Sequence, residues 1–476
     1  MKRPVAFLVL SLFSSFTFAQ QFGLTGTGTL FDGFENPARK TFKVDSSRKY
    51  AFNFLIPTVS VNSAFTGPAQ QSFKDLIFER VITGDLPIGT DEGDNTLHLN
   101  SNNYILMFRT YRNIYWDREI GFSWQIRQHG RVRATNETFV LMENIGKFAG
   151  PDQLENNGMF NNKGFSQLYH QFSMTYREDL DKRTGLGVKL SALSGIMYNK
   201  FDIVRSDIRF AADSHVLNLN GSYRSSAGFD SLDLAREAVP SFRNPGISVS
   251  LGFTRKAPGG WNVTGNLKDL GMIRWNRESR KYSFDRELSV DNTHTEEGRK
   301  EFLNDMKKLV KENTEQKAFF APTDGKAEIQ LERDLDWYRP NLVLSKSLFY
   351  PGGNIALVNH FAVRNFVFTA LGDYSLDRYF QLGGQALYKT PNFEWFVGSD
   401  QLFKTYYATR SILEKSAAYG RGYTGASVYF GIAFRFGPVM EHPLNSGSIP
   451  GVRNIREQKP GILKRLTSGI GRRKTE

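Results

Sequence analysis

Large apolar residues return at every second position through most of this chain. In the stretch Ser427 to Phe436, Val428, Phe430, Ile432, Phe434 and Phe436 alternate with Tyr429, Gly431, Ala433 and Arg435. An extended backbone sends two such sets to opposite faces. The same rhythm sets Ile120, Phe122, Trp124 and Ile126 against Gly121, Ser123, Gln125 and Arg127, and it returns in residues 185–191, 217–224, 247–254 and 261–268. Each segment predicts one amphipathic strand.

Alternation alone fits a water-soluble sandwich as well as a membrane barrel, and three features separate them. The segments approach the ~10 residues that a tilted membrane strand needs, their polar sides carry Arg, Lys, Gln and Asn, and they recur through most of the chain. So many long strands exceed the usual dimensions of a sandwich. The pattern therefore predicts an all-β fold, a transmembrane antiparallel β-barrel of about 14 strands, apolar outside and polar within. Short turns at Ala257–Gly260 and Pro351–Asn354 contrast with long polar connections, matching short periplasmic turns and long external loops. The residues Phe361 to Leu376 divide into strands in more than one way.

One segment breaks the rhythm. Between Glu296 and Asn313, Phe302, Leu303, Met306, Leu309 and Val310 recur at helical spacing among charges, which predicts a helical loop insertion within 285–336. Ahead of the strands, Lys2 and Arg3 precede an apolar run from Val5 to Phe13 and the small-residue site Thr17-Phe18-Ala19, so 1–19 reads as a secretory signal peptide. The remaining boundaries follow: 20–48 is an N-terminal plug or periplasmic segment, 49–437 the barrel, and 438–476 a basic periplasmic tail.

Composition sharpens this picture at three points. Mean hydropathy is -0.40 and no later window suits a membrane helix, so integral membrane contact requires a closed barrel. There is no cysteine among 476 residues, which excludes a small disulfide scaffold. The net charge of +13, from 61 basic against 48 acidic residues, is concentrated partly in the tail; in an exported protein it points to anionic lipid or cell-wall polymer and not to nucleic acid.

Three short motifs carry a resemblance: Phe34-Glu35-Asn36-Pro37-Ala38, Gly271-Met272-Ile273-Arg274-Trp275 and Gly398-Ser399-Asp400-Gln401-Leu402. In these the chain resembles uncharacterised Bacteroidetes outer-membrane β-barrel proteins, related more distantly to the long-chain fatty acid outer-membrane transporters and to the barrel subunit of type IX secretion. The resemblance implies a barrel of about fourteen strands with an N-terminal segment at its mouth or in its lumen. It also implies that Asn36, Pro37 and Ala38 match the transporters' N-P-A motif. The loop helix and the basic tail depart from the transporter pattern, so function carries over less than fold.

Candidate chemistry is sparse. No GxSxG elbow, HExxH or paired cysteine occurs, and Asn359-His360 beside Ser345 and Ser347 is a juxtaposition common by chance; the chain is read as no enzyme, without metal or cofactor. The strand phase points Arg127, Lys189, Arg224, Lys268 and Arg435 inward, where they either attract an anionic head group or pair with inward carboxylates. Arg453, Arg456, Lys464, Arg465, Arg472, Arg473 and Lys474 form a candidate periplasmic contact. The leading expectation is an outer-membrane barrel for passive uptake or binding of a hydrophobic or amphiphilic small molecule, with outer-membrane lipid around it. The alternative is a non-transporting barrel that docks secretion or surface-assembly proteins.

Overall fold

The computed structural model describes residues 22–79, 86, 95–113, 117–143, 156–210, 214–226, 239–291, 314–422, 424–440 and 461–470. Its twenty strand segments join into a closed antiparallel barrel of 14 strands. Several strands are interrupted and continue beyond the break against the same neighbours. Thus β1 comprises Arg48–Phe52 and Val59–Thr66, β6 comprises Ser214–Ser225 and Pro245–Lys256, and β7 comprises Trp261–Trp275 and Arg280–Asp291. The others on this half are β2 (Asn95–Asn113), β3 (Arg118–Ala134), the two-part β4 (Asn156–Asn157, Lys163–Asp179), β5 (Thr184–Phe210) and the three-part β8 (Thr314–Gln316, Phe319–Pro322, Lys326–Arg333). Then follow β9 (Tyr338–Ser347), β10 (Gly353–Val363), β11 (Phe366–Ser375), β12 (Tyr379–Lys389), β13 (Phe393–Ser399) and β14 (Gly425–Val439). Closure comes from β1 pairing with β14, Tyr50 opposite Phe436 and Val61 opposite Val428.

Burial is inverted relative to a soluble protein. Ile247 is 72% exposed and Met174 61%, whereas Lys189 is 1% exposed. Along β14, Val428, Phe430 and Phe436 are exposed while Tyr429, Ala433 and Arg435 are buried. The apolar face meets lipid and the polar face fills the interior, as an outer-membrane barrel requires. Among the described residues no helix is long and apolar enough to cross a membrane.

The two ends differ. Where Arg48 and Val439 lie, the strands are joined through residues 114–117, 180–183, 257–260, 334–337, 364–365 and 390–392; the opposite end carries 67–94, 135–162 and 400–424. Short connections mark the first end as periplasmic. The Pro351–Asn354 turn, expected there with Ala257–Gly260, lies at the opposite end, because β9 runs away from the termini. The insertion expected over 285–336 is narrower: residues 285–291 complete β7 and 314–333 form β8. The expected helix lies outside the described residues, as do the leader and most of the tail. The ambiguous stretch divides at Arg364, whose φ of 55° makes the tight turn between β10 and β11.

Candidate functional site

The N-terminal segment sits inside the barrel as a plug. A short helix, α1 (Leu30–Glu35), forms because Thr29 caps it, its hydroxyl accepting from the Asp32 amide at 3.2 Å while Asp32 accepts from the Gly28 amide at 2.9 Å. The Asn36 amide donates to the Asp32 carbonyl at 3.0 Å, and Pro37 prevents the helix from continuing. Asn36 Oδ1 then accepts from the Ala38 amide at 3.0 Å, holding a tight loop. The N-P-A residues are thus the turn that ends the plug helix.

The barrel wall is fitted to this turn. A Cβ added at Gly187 of β5 would collide with the Pro37 backbone, and one at Gly252 of β6 would sit 2.7 Å from the Ala38 amide nitrogen. Glycine is what lets the two backbones approach so closely. Wall side chains cap the carbonyls around the turn: Lys189 reaches that of Phe34 at 3.4 Å, Asn266 that of Glu35 at 3.1 Å, and Arg177 that of Ala38 at 2.9 Å.

Charges concentrate on the flank facing β3 to β8. The Asp269 carboxylate pairs with Lys189 at 2.9 Å and with Arg127, and accepts from Gln171 at 2.8 Å and Ser250 at 3.2 Å. A bulge produces this hub. Asp269 has φ of 49° and the pairing register shifts between Leu267 and Leu270, so Lys268 and Asp269 both point inward. Lys268 pairs with Glu35 of the plug, which also accepts from Asn102 and Tyr104 at 2.6 Å each. Burial alone would raise the Glu35 carboxyl, but Lys268, Arg127 and Lys189 outweigh it and hold it down at about 2. Burial raises the Asp32 carboxyl above its ordinary value, with Arg39 opposing.

The flank facing β1, β2 and β12 to β14 is mainly apolar. Leu24, Leu30, Phe31, Phe34 and Phe42 of the plug pack with Ala51, Tyr104, Met107, Leu387, Phe396 and Ala433 of the wall. Phe31 meets Tyr104 edge-on at 5.4 Å. Two ionic pairs stand within this flank or at its border with β3. Arg109 and Glu119 pair at 2.8 Å, and Glu119 accepts from the Thr41 amide at 3.1 Å. Arg435 and Glu394 pair at 2.7 Å, and Glu394 accepts from the Leu30 amide at 2.6 Å.

Between plug and wall lies a cavity of about 40 Å³, lined by Glu35, Asn36, Asn102, Arg127, Lys268 and Glu328 among others. It has room for a few waters and a polar lining suited to them. Residues 42–400, from the foot of the plug past the end of β13, match the family described as "Family of unknown function (DUF5723)". The chain belongs to that family. No curated protein sequence matches it. Among solved structures this DUF5723 member is similar to the toluene transporter TbuX of Ralstonia pickettii, with 8% identity, 85% of this chain and 93% of that one covered, and a TM-score of 0.39. It is also similar to a FadL homologue of Pseudomonas aeruginosa, with 10% identity, 88% and 98% covered, and a TM-score of 0.40. At such values the likeness carries no argument about ligand or activity.

Of the five inward cations expected from the DUF5723 sequence, Arg127, Lys189, Lys268 and Arg435 gather around the plug. Each is matched by a carboxylate, because a buried charge without a partner is strongly unfavourable. Arg224 stands apart, its guanidinium 4.6 Å from the Phe319 ring centroid. The matching carboxylates were not legible beforehand. Asp269 had one signal, two adjacent charges where the alternation changes phase; Glu35, Glu119 and Glu394 had none.

His360 turns inward, its Nδ1 2.8 Å from the Thr369 hydroxyl and its Nε2 2.9 Å from the Thr25 carbonyl. Ser345 and Ser347 instead approach Glu328 and Asp324 at 3.5 and 3.4 Å. In the tail, Lys464 and Arg465 lie on the helix α2 (Ile462–Ile470), which starts where the Gly461 amide donates to Glu178 at 2.8 Å. Arg453, Arg456, Arg472, Arg473 and Lys474 lie outside the described residues.

Proposed function

We propose that the protein is an outer-membrane barrel for passive uptake or binding of a hydrophobic or amphiphilic small molecule, gated by its plug. The observation that carries this reading is the interruption of β1. Between Phe52 opposite Phe434 and Val59 opposite Phe430, the ladder to β14 lapses. Phe54, Leu55 and Ile56 face lipid there, 51%, 57% and 38% exposed. Behind them lies the apolar flank of the plug, beginning at Ala51 and Ala433. An amphiphile leaving lipid at this seam would meet aromatic side chains on both sides.

The cavity described between plug and wall, about 40 Å³, is far below the ~300 Å³ at which ligand pockets begin, so a ligand seated there requires the plug to shift. The reading includes export by the leader, no catalytic activity, and kinship with Bacteroidetes barrels and the type IX secretion subunit. The docking alternative gains no support from the described part of the tail, which engages the chain's own Glu178.

The absence of native cysteine gives a clean test. A Cβ at Gly23 of the plug would lie 3.5 Å from that of Gln385 on β12, within disulfide reach, so Gly23→Cys with Gln385→Cys, combined with Tyr429→Phe to remove the hydroxyl that this Cβ meets, should lock the plug. Proteoliposomes carrying the oxidised variant should take up a fluorescent long-chain amphiphile no faster than empty vesicles, and reduction should restore uptake. Equal uptake by oxidised and reduced protein would refute the gate.

A further inference from the structure

The periplasmic end of the β1–β14 seam carries a second feature, on the outer wall. An open groove of about 410 Å³ is lined by Arg48, Phe54, Asn392, Phe434, Phe436 and Gly437. Its charged end is built. Arg48 Nε donates to Asn392 Oδ1 at 2.5 Å and Nη1 to the Gly437 carbonyl at 2.8 Å, while Nη2 has no partner among the described residues. The guanidinium is therefore held in place with donors to spare.

The apolar end is built as well. Phe54 and Leu55 have φ of 50° and 59°, a left-handed backbone unfavourable for bulky residues. Asn53 holds it, its Oδ1 accepting from the Met107 amide at 2.9 Å and its Nδ2 donating to the Ile56 carbonyl at 2.9 Å. The strained turn brings the Phe54 ring to 5.4 Å from Phe434 and 5.8 Å from Phe436, while 51% of the residue remains exposed.

We propose that this groove binds one phospholipid of the periplasmic leaflet, its phosphate on Arg48 and an acyl chain along Phe54, Phe434 and Phe436. The chemistry matches at both ends. Guanidinium is the side chain best suited to phosphate, and a fixed one loses little freedom on binding. The rings lie on the lipid-facing wall, and Arg48 lies at the end with short turns, where head groups of that leaflet lie. Lys49, whose ammonium is 5.6 Å from the Tyr50 ring centroid, adds positive charge beside the site. The inference rests on the barrel and not on uptake.

Native mass spectrometry of the full-length protein, delipidated in detergent and titrated with phosphatidylglycerol, tests this. One lipid should bind with an affinity distinct from the annular background, at least tenfold weaker in Arg48→Gln and partly restored in Arg48→Lys. Phe54→Gly, which suits the left-handed backbone, should weaken binding while heat-modifiable gel mobility shows a folded barrel. Wild-type affinity in Arg48→Gln, equal binding of diacylglycerol, or binding of lipid A in place of phosphatidylglycerol would each overturn the proposal. Loss of uptake in the locked-plug variant with phospholipid binding intact would leave this site standing by itself.

Discussion

The two flanks of the plug rest on different physics. Toward β1, β2 and β12 to β14, Leu30, Phe31, Phe34 and Phe42 bury apolar surface against the wall, each side chain contributing about 1.5–3 kcal/mol as an upper bound. Toward β3 to β8, Lys268 pairs with Glu35 while Arg127 and Lys189 share Asp269, an arrangement that roughly breaks even against apolar replacements of equal volume. Apolar contact tolerates sliding, whereas a bulge, two glycines and three capped carbonyls allow the N-P-A turn one position. The apolar flank supplies most of the free energy and the charged flank sets the register. A ligand competing for apolar surface would therefore act on the first flank while the second keeps the plug aligned.

The largest expected effect lies on the charged flank. Asp269→Ala leaves Arg127 and Lys189 buried without their shared carboxylate and should cost about 3–5 kcal/mol in urea unfolding of the detergent-folded barrel. A cost below about 1 kcal/mol would show that water screens the cluster. On the apolar flank, Phe31→Ala should cost about 3 kcal/mol, with the same loss at low and high salt. A strong salt dependence would erase the distinction between the flanks.

Gly187→Ala probes the fit of the turn. Forcing a methyl against Pro37 should cost about 1–3 kcal/mol and make the plug more accessible to trypsin at Arg39 and Lys40, whereas the same change at the open position Gly265 should not. The smallest effect is that of acid. Glu35 titrates near 2 in place against an ordinary 4.5, so its contribution is complete above 4.5 and declines as pH falls toward 2. Asp32 runs the other way: with its folded value raised, its penalty is present at neutral pH and relieved on acidification. Glu35→Gln should flatten the acid limb of plug release measured by proteolysis, and Asp32→Asn should steepen it; no change in either would sink the assignment.

The fold was legible because its signal is repeated. A period of two with inward Arg, Lys and Gln survives errors in any single strand, which is how the barrel, its size of about 14 strands and the inward set of Arg127, Lys189, Lys268 and Arg435 could be read. Breaks in the rhythm were harder. The bulge at Asp269 shifts the phase, so that Met272 is 52% exposed while Ile273 and Trp275 are fully buried. A strand interrupted for loops or turns, like β6 or β8, looks in sequence like separate pieces, which made residues 314–333 read as loop.

Alternation is a local property, fixed by the geometry of an extended chain, and together with the length, number and polar composition of the segments it determined that this protein is a barrel with an apolar exterior and a charged interior. Which charges meet is not local. Glu35 finds Lys268 across 233 residues and Leu30 finds Glu394 across 364, because closing the sheet brings strands from distant parts of the chain around one short N-terminal segment. Only the tertiary structure decided that this segment fills the lumen, that Gly187 and Gly252 make room for Pro37 and Ala38, and that the wall yields at Phe54. Those outcomes depend on packing in three dimensions, where a register shift of one residue or the loss of one Cβ sets what can touch.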